Sequence, residues 1–122
     1  MKRREFDLQK RLIAFSVMIL KIVEKLPKTV IGIHFARQLV KSGTSPAFHH
    51  AEAQSAESRK DFIHKLKIGV KELRETFVNI EILKQAKILD SSEFKETLTE
   101  NDELISIFVS SIKTAKKNLK KE

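Results

Sequence analysis

Apolar residues recur every three or four positions along almost the whole chain, and this spacing is the strongest limit on how it can fold. Such spacing places side chains on one face of an α-helix. The first series is Leu12, Phe15, Ile19, Ile22 and Leu26. Asp7 can cap the start of this helix and Pro27 ends it, which predicts a helix over 8–26. With only 3 Gly and 2 Pro, we expect neither a sheet with many tight turns nor a glycine-rich phosphate loop.

The second periodic segment predicts a helix over 30–56, with Thr29 as its cap, and it contains Pro46. A proline inside a helix removes a backbone donor and clashes with the carbonyl four residues earlier, at a cost of about 3 kcal/mol. We therefore expect the helix either to kink at Pro46 or to restart there, with Ser45 as a new cap.

Two further periodic segments complete the pattern. The third follows Ser58, which forms a capping-box-like motif with Asp61 in place of the usual glutamate, and it predicts a helix over 59–87. The fourth predicts a helix over 92–119. Four amphipathic helices with short connections most simply form an all-α, antiparallel up-down-up-down four-helix bundle, here as a single domain spanning 1–122.

Composition limits the compartment and the chemistry. Because the chain has no cysteine, it can form no disulfide, no thiolate metal site and no thiol nucleophile, in keeping with a reducing cytosol. The most apolar window, 12–23, is interrupted by Ser16 and Lys21 and is too short to span a bilayer. It also lacks the cleavage site of a secretory signal. We therefore expect a cytoplasmic protein.

The formal net charge is +8, and the basic excess lies at the two ends of the chain, whereas the middle is acidic. In an up-down-up-down bundle, the start of the first helix, the turn between the second and third, and the end of the fourth share one pole. The basic residues expected there are Lys2, Arg3, Arg4, Lys10, Arg11, Arg59, Lys60, Lys113, Lys116, Lys117, Lys120 and Lys121. Such a surface suits the phosphates of RNA or DNA, because each neutralised phosphate releases counterions. The alternative is that these charges only favour a helix dipole and solubility.

Three spacings could indicate a metal enzyme. They are His49-His50-Ala51-Glu52, Asp61-Phe62-Ile63-His64, and Glu72 with Glu75. Di-iron bundles use Glu-x-x-His pairs from two helices and a glutamate from each of the others. One pair here is reversed, another has aspartate for glutamate, and the first helix offers only Glu24 near its end. We therefore expect no metal and no cofactor.

Arg59-x4-His64 resembles the Arg-x4-6-His element of HEPN-type ribonucleases, which are also helical bundles. Histidine can exchange protons in acid–base catalysis. A two-residue motif arises easily by chance on a basic helical chain. A ribonuclease is therefore the weaker alternative, and His64 as an ordinary helix-surface residue is the simpler interpretation.

A longer segment, from 38 to 83, carries a family resemblance. Its most specific parts are Gln38-Leu39, Ser42-Gly43-Thr44-Ser45, Glu52-Ala53, Ala56-Glu57-Ser58, Asp61-Phe62-Ile63-His64-Lys65-Leu66, Lys71-Glu72 and Glu75-Thr76. On these residues the chain resembles the four-helix-bundle proteins related to those encoded by intervening sequences in bacterial 23S rRNA genes. The opening helix also resembles that family, and the fourth helix matches in pattern.

The resemblance implies a homopentameric ring and kinship with the accessory proteins of diversity-generating retroelements, which are similar basic pentamers that bind nucleic acid and a reverse transcriptase. It does not imply enzymatic activity. The chain departs from the family pattern at Pro46, His49 and Asn79. Five copies of a +8 chain carry +40 before counterions, which requires an anionic partner or acidic interfaces. One polar set is therefore expected at the interface between copies, with a solvated face as the alternative: Gln38, Lys41, Ser42, Glu52, Asp61, Lys65, Glu72 and Glu75.

Together these observations predict a non-enzymatic, oligomeric basic bundle that binds RNA or DNA, or that serves as an accessory to a nucleic-acid-processing complex. The alternative is a protein-interaction scaffold whose basic end contacts an acidic protein.

Overall fold

The computed structural model consists of four long helices, and it describes residues 2–121 and the side chains of residues 7–120. The helices are α1 (Lys2–Lys25), α2 (Val30–Gln54), α3 (Arg59–Gln85) and α4 (Lys95–Lys121), with a short 3-10 turn at Ser91–Glu93. The described range contains no strand, so the fold is all-α. Between residues 2 and 121, no helix is long and apolar enough to cross a membrane.

Side-chain caps determine where α2 and α3 begin. Thr29 Oγ1 accepts a hydrogen bond from the Gly32 N–H at 3.1 Å, and Ser58 Oγ accepts one from the Asp61 N–H at 3.1 Å. Both residues were predicted as caps, and both predictions are confirmed. Asp7 does not cap α1, because α1 already begins at Lys2.

The start of α4 also differs from the sequence-based expectation at residue 92. The Asp90 side chain accepts a hydrogen bond from the Ser92 N–H at 2.9 Å, and this contact caps the 3-10 turn. Regular α-helix therefore begins three residues later than expected, at Lys95.

Helix α2 is continuous through Pro46, and the expected restart at Ser45 does not occur. Two hydroxyl groups in the preceding turn hydrogen-bond to the backbone four residues earlier: Thr44 Oγ1 donates to the Val40 carbonyl at 2.5 Å, and Ser45 Oγ donates to the Lys41 carbonyl at 2.6 Å. The Pro46 ring is buried. Packing of this buried ring offsets part of the cost of the missing backbone donor, whereas hydroxyl bonds of this kind favour a bend in a helix.

Neighbouring helices run antiparallel, in the predicted up-down-up-down order. Helix α2 packs against both α1 and α3, α3 packs against α4, and α1 packs less extensively against α4. Two glycines allow close approach: a Cβ on Gly43 would lie 2.6 Å from Ile19 Cγ1, and a Cβ on Gly69 would lie 2.5 Å from Phe108 Cε2. The Gly69–Phe108 contact also sets the height at which α3 and α4 face each other.

The core is mostly apolar, with buried polar side chains that include a layer near its middle. Phe15, Phe94 and Phe108 are among the largest fully buried side chains. In the polar layer, the hydroxyls of Ser42 and Thr76 hydrogen-bond at 2.9 Å. Asn101 follows on α4, is fully buried, and has no hydrogen-bond partner at either side-chain amide atom.

Candidate nucleic-acid interface

The start of α1, the α2–α3 turn and the end of α4 lie together at one end of the bundle, as the predicted topology requires. A cleft of about 980 Å³ between them is lined by residues from all three regions, among them Asp7, Ser58, Arg59, Thr114 and Asn118. We call this end the basic pole. Its described basic residues are Lys10, Arg59, Lys60, Lys113, Lys116, Lys117 and Lys120.

Of the twelve predicted phosphate-binding residues, eight have described side chains, and six of these are exposed at this pole. The six are Lys10, Lys60, Lys113, Lys116, Lys117 and Lys120, and Arg59 is half-buried in the wall of the cleft. The side chains of Lys2, Arg3, Arg4 and Lys121 lie outside the described residues. The structure therefore places the described members of the predicted set at one end of the bundle, and one of them, Arg11, is paired with acidic residues of α4.

Arg11 forms an ion pair with two acidic residues of α4. Its Nη2 lies 2.7 Å from Glu100 Oε1 and 3.1 Å from Glu103 Oε1, and its Nε lies 3.0 Å from Glu100 Oε2. The hydrogen bonds to Glu100, with a further contribution from Glu103, raise the pKa of Arg11 above its usual range. Arg11 is therefore permanently charged, and its charge is compensated within the protein. The ion pair joins α1 to α4, which pack less extensively than the other adjacent helices.

The lysines at the end of α4 are not compensated in this way. Lys113, Lys116, Lys117 and Lys120 lie on a segment, 104–120, that contains no acidic residue. Among the side chains that the structure describes, no carboxylate lies within 4.0 Å of their amino groups. Their charges face solvent, which leaves a positive potential at this end of the molecule.

A second group of basic residues extends along α3, away from the pole, and the sequence analysis missed it. Lys60, His64, Lys67, Lys71 and Arg74 are all exposed and recur at alternating spacings of four and three. This spacing puts them on one face of the helix. The signal is present in the sequence, but the acidic total charge of the middle of the chain hides it: Asp61 and Glu72 face α2, whereas Glu75 borders the basic face, four residues after Lys71.

The predicted polar interface set lies along the outer side of α2 and α3, but its members have different environments. Ser42 is buried and bonded to Thr76. Glu52 of α2 forms an ion pair with Lys65 of α3, with 3.2 Å between Glu52 Oε1 and Lys65 Nζ. The remaining members differ in exposure: Gln38, Lys41 and Glu75 are exposed, whereas Asp61 and Glu72 are half-buried.

Two polar atoms beside this set are buried and unbonded. They are His49 Nδ1 on α2 and Glu72 Oε2 on α3. A buried polar atom without a partner is unfavourable in an isolated chain. The α2–α3 side therefore has polar groups available for a further contact.

The other two histidines considered above, His50 and His64, have different environments. His50 is buried: its Nδ1 lies 2.5 Å from Gln9 Oε1, and its ring contacts Phe108 with centroids 6.1 Å apart. Within the described residues, no group of three or more metal-binding side chains is close enough to hold an ion. Arg59 lines the cleft at the basic pole, whereas His64 is exposed and does not.

Helix α1 carries an exposed apolar row that the sequence analysis also missed. Ile13, Val17 and Leu20 are 52%, 48% and 42% exposed, although their spacing of four and three is that of a buried stripe. Val40 of the neighbouring α2 is 40% exposed. Exposed apolar surface of this kind is typical of protein contacts.

Comparison with known proteins identifies the family. The family model for the 23S rRNA-intervening sequence protein matches residues 4–110. The chain belongs to this family. The match includes the basic residues of α3 and ends before Lys113 of α4.

A crystal structure supports the same assignment. The chain is similar to a protein of unknown function from the S23 ribosomal protein family of Bacteroides thetaiotaomicron VPI-5482, with a TM-score of 0.80 and 27% sequence identity. The similarity covers 89% of this chain and 97% of that chain. No curated protein matches the sequence.

Proposed function

We propose that this protein is a non-enzymatic, basic four-helix bundle that binds the phosphate backbone of RNA or DNA through its basic pole. The observation that carries the proposal is the group of four exposed lysines on α4 without a carboxylate within 4.0 Å in the described part of the chain. Each phosphate contact releases counterions, so binding by such a group is independent of sequence and sensitive to salt.

The helix dipole alone does not explain this arrangement. Cations near a helix C-terminus are favourable, which accounts for lysines in the last turn of α4. Arg59 and Lys60, however, occupy the first turn of α3, where the dipole is positive and a cation is unfavourable. Lys60 is thus a cation at a helix start that disfavours it, where Asp61 supplies one negative charge, and an anionic ligand at this end would add to that compensation.

We also propose that the bundle assembles as the homopentamer that the family resemblance implies, with the polar α2–α3 side between copies. The unbonded Glu72 Oε2 and His49 Nδ1 support a further contact there. The acids on this side, among them Glu52 and Glu75, would lower the repulsion between copies. In this form the protein serves as an accessory to a nucleic-acid-processing complex.

The test of binding is fluorescence anisotropy of labelled RNA and DNA across a salt series, with Lys116→Glu/Lys117→Glu compared with the wild type. Loss of two phosphate contacts should lower the salt slope by roughly 2 and the affinity by tenfold or more. The matched control is Lys28→Glu/Lys87→Glu, two exposed lysines at the other end of the bundle, which should leave both quantities close to wild type. Equal losses in the two variants would exclude a localised site.

His64→Ala separates the proposal from the ribonuclease alternative. Binding should survive this change, and the wild type should not degrade RNA under the same conditions. RNA cleavage that disappears in His64→Ala would establish the nuclease instead. Absence of any salt-dependent binding would favour the scaffold alternative, in which the pole contacts an acidic protein.

A further inference from the structure

The basic residues of α3 continue beyond the basic pole along the side of the bundle. Lys67, Lys71 and Arg74 are exposed, and we call these three the α3 row. With Lys60 as its first member at the pole, the line of basic side chains runs to Arg74 over about 21 Å at 1.5 Å per residue. It connects the pole to the middle of the molecule.

The acids of the same segment do not neutralise this row. Lys65, which pairs with Glu52 of α2, marks the side of α3 that faces α2, and helix geometry puts Asp61 and Glu72 on that side as well. Among the residues that the structure describes, no carboxylate lies within 4.0 Å of a basic group of the α3 row. Glu75 borders the row, four residues after Lys71, but it forms no ion pair with the row. The three basic groups therefore keep an excess of positive charge.

The start of this line of basic residues, at Lys60, lies at the height of the α4 lysines along the bundle axis. Helices α3 and α4 are antiparallel, and Phe108 contacts the position of Gly69. Lys60 and His64 are therefore roughly level with Lys117 and Lys113. Like charges three or four positions apart on a helix repel each other, so this strip is unfavourable for α3 unless an anion lies along it.

We propose that the α3 row is a lateral docking strip for the backbone of double-stranded nucleic acid, which lies along α3 with one end at the basic pole. This inference rests on the function proposed above and adds the orientation and class of the ligand. A duplex offers a rigid line of phosphates that matches a rigid strip of this length. Single-strand binding relies on bases stacked on aromatic side chains, and the row contains none.

The test compares the variant Lys67→Gln/Lys71→Gln/Arg74→Gln with a charge-matched control, Lys21→Gln/Lys28→Gln/Lys87→Gln, which removes three exposed lysines from the other end. The probes are a labelled duplex of about 20 base pairs, longer than the strip, and the single strand of the same sequence. Removal of the row should lower the salt slope for the duplex by roughly 3. The control should stay near the wild-type slope, and circular dichroism checks that both variants keep the helical fold.

The possible failures can be told apart by including Lys116→Gln/Lys117→Gln. If this pole variant lowers the slope and the row variant does not, the lateral strip is wrong while pole binding stands. If neither lowers it, both proposals are wrong. A row variant that weakens binding of the single strand as much as binding of the duplex would overturn the assignment to double-stranded nucleic acid.

Discussion

The two ends of the bundle differ in how far their basic side chains are paired with acidic ones. At the end formed by the α1–α2 turn and the α3–α4 connection, which we call the balanced pole, some of the lysines have acidic partners, although Lys28 and Lys87 form no ion pair with the described residues. Lys25 Nζ lies 2.6 Å from Glu93 Oε1, and Lys84 Nζ lies 3.2 Å from Glu81 Oε2. At the basic pole, the lysines of α4 have no acidic partner in the described structure. Because exposed ion pairs contribute little to stability, the fold itself does not require this difference. The contrast concerns the electrostatic field that each end presents to a partner.

The largest expected effect on nucleic-acid affinity is that of reversing the lysine charges at the basic pole. Lys113→Glu/Lys116→Glu/Lys117→Glu/Lys120→Glu should weaken duplex binding in 0.1 M salt by roughly a hundredfold, because it replaces phosphate contacts by repulsion. The matched change at the balanced pole, Lys21→Glu/Lys28→Glu/Lys84→Glu/Lys87→Glu, alters the net charge equally and should cost only a few-fold. Anisotropy titrations measure both, and similar losses would show that net charge alone controls binding.

The polar layer between the two ends should affect stability and leave the charge contrast unchanged. In Asn101→Leu, removal of two unbonded buried amide atoms should raise the free energy of unfolding by about 1–3 kcal/mol. Urea denaturation measures this change, and nucleic-acid affinity should stay at the wild-type value. A loss of stability would contradict the observed lack of partners for Asn101.

Arg11 lies in the wall of the basic-pole cleft, but because it is paired with acidic residues it should contribute to stability and hardly to nucleic-acid binding. Arg11→Met removes its bonds to Glu100 and Glu103, and should lower the free energy of unfolding by about 1 kcal/mol or less, since the pair is partly exposed. Its effect on nucleic-acid affinity should be under about twofold, far below that of the α4 lysines. Glu100→Gln is the matched control for stability. A large loss of affinity in Arg11→Met would place this residue in the binding surface.

The smallest expected effect is on the pH dependence of stability, and it involves Asp90 at the balanced pole. Its hydrogen bond from the Ser92 N–H lowers the pKa of the carboxyl below its ordinary value of 3.8. The ionised carboxylate therefore stabilises the folded chain fully above pH 3.8, and this contribution is lost as the pH falls through the lower, folded-state pKa. Asp90→Ala should show a slightly lower Tm at pH 7 and match the wild type in acid, as thermal denaturation over pH can test. A Tm difference that persists in acid would assign the effect to something other than this charge.

Much of the fold could be predicted from hydrophobic spacing. Buried residues on all four helices follow the 3.6-residue period, and Thr29 and Ser58 carry recognisable cap chemistry. Phe94 was not included in any predicted stripe, although it is fully buried, because it lies in the short turn before α4, where no helical period applies. The continuity of α2 through Pro46 depends on tertiary packing, which local propensity does not contain.

The site was harder to predict, because the total charge of a sequence segment does not show how its charged residues are distributed among the faces of a helix. The α3 row was hidden in a segment with an acidic total, although its spacing of four and three was readable. Arg11 was assigned to the phosphate-binding surface, and its pairing with Glu100 joins residues 89 positions apart in sequence. Such a long-range contact is available only from the packed structure, and so is the exposure of Ile13 and Val17.

The central claim is that one end of the bundle binds phosphate and the other does not, and lysine footprinting tests it most directly. The protein is acetylated with and without a saturating duplex, and the modification at each lysine is measured by mass spectrometry. The account predicts that the duplex protects Lys113, Lys116, Lys117 and Lys120 and leaves Lys21, Lys28, Lys84 and Lys87 unchanged. Equal protection at both ends, or none at the α4 lysines, would contradict it.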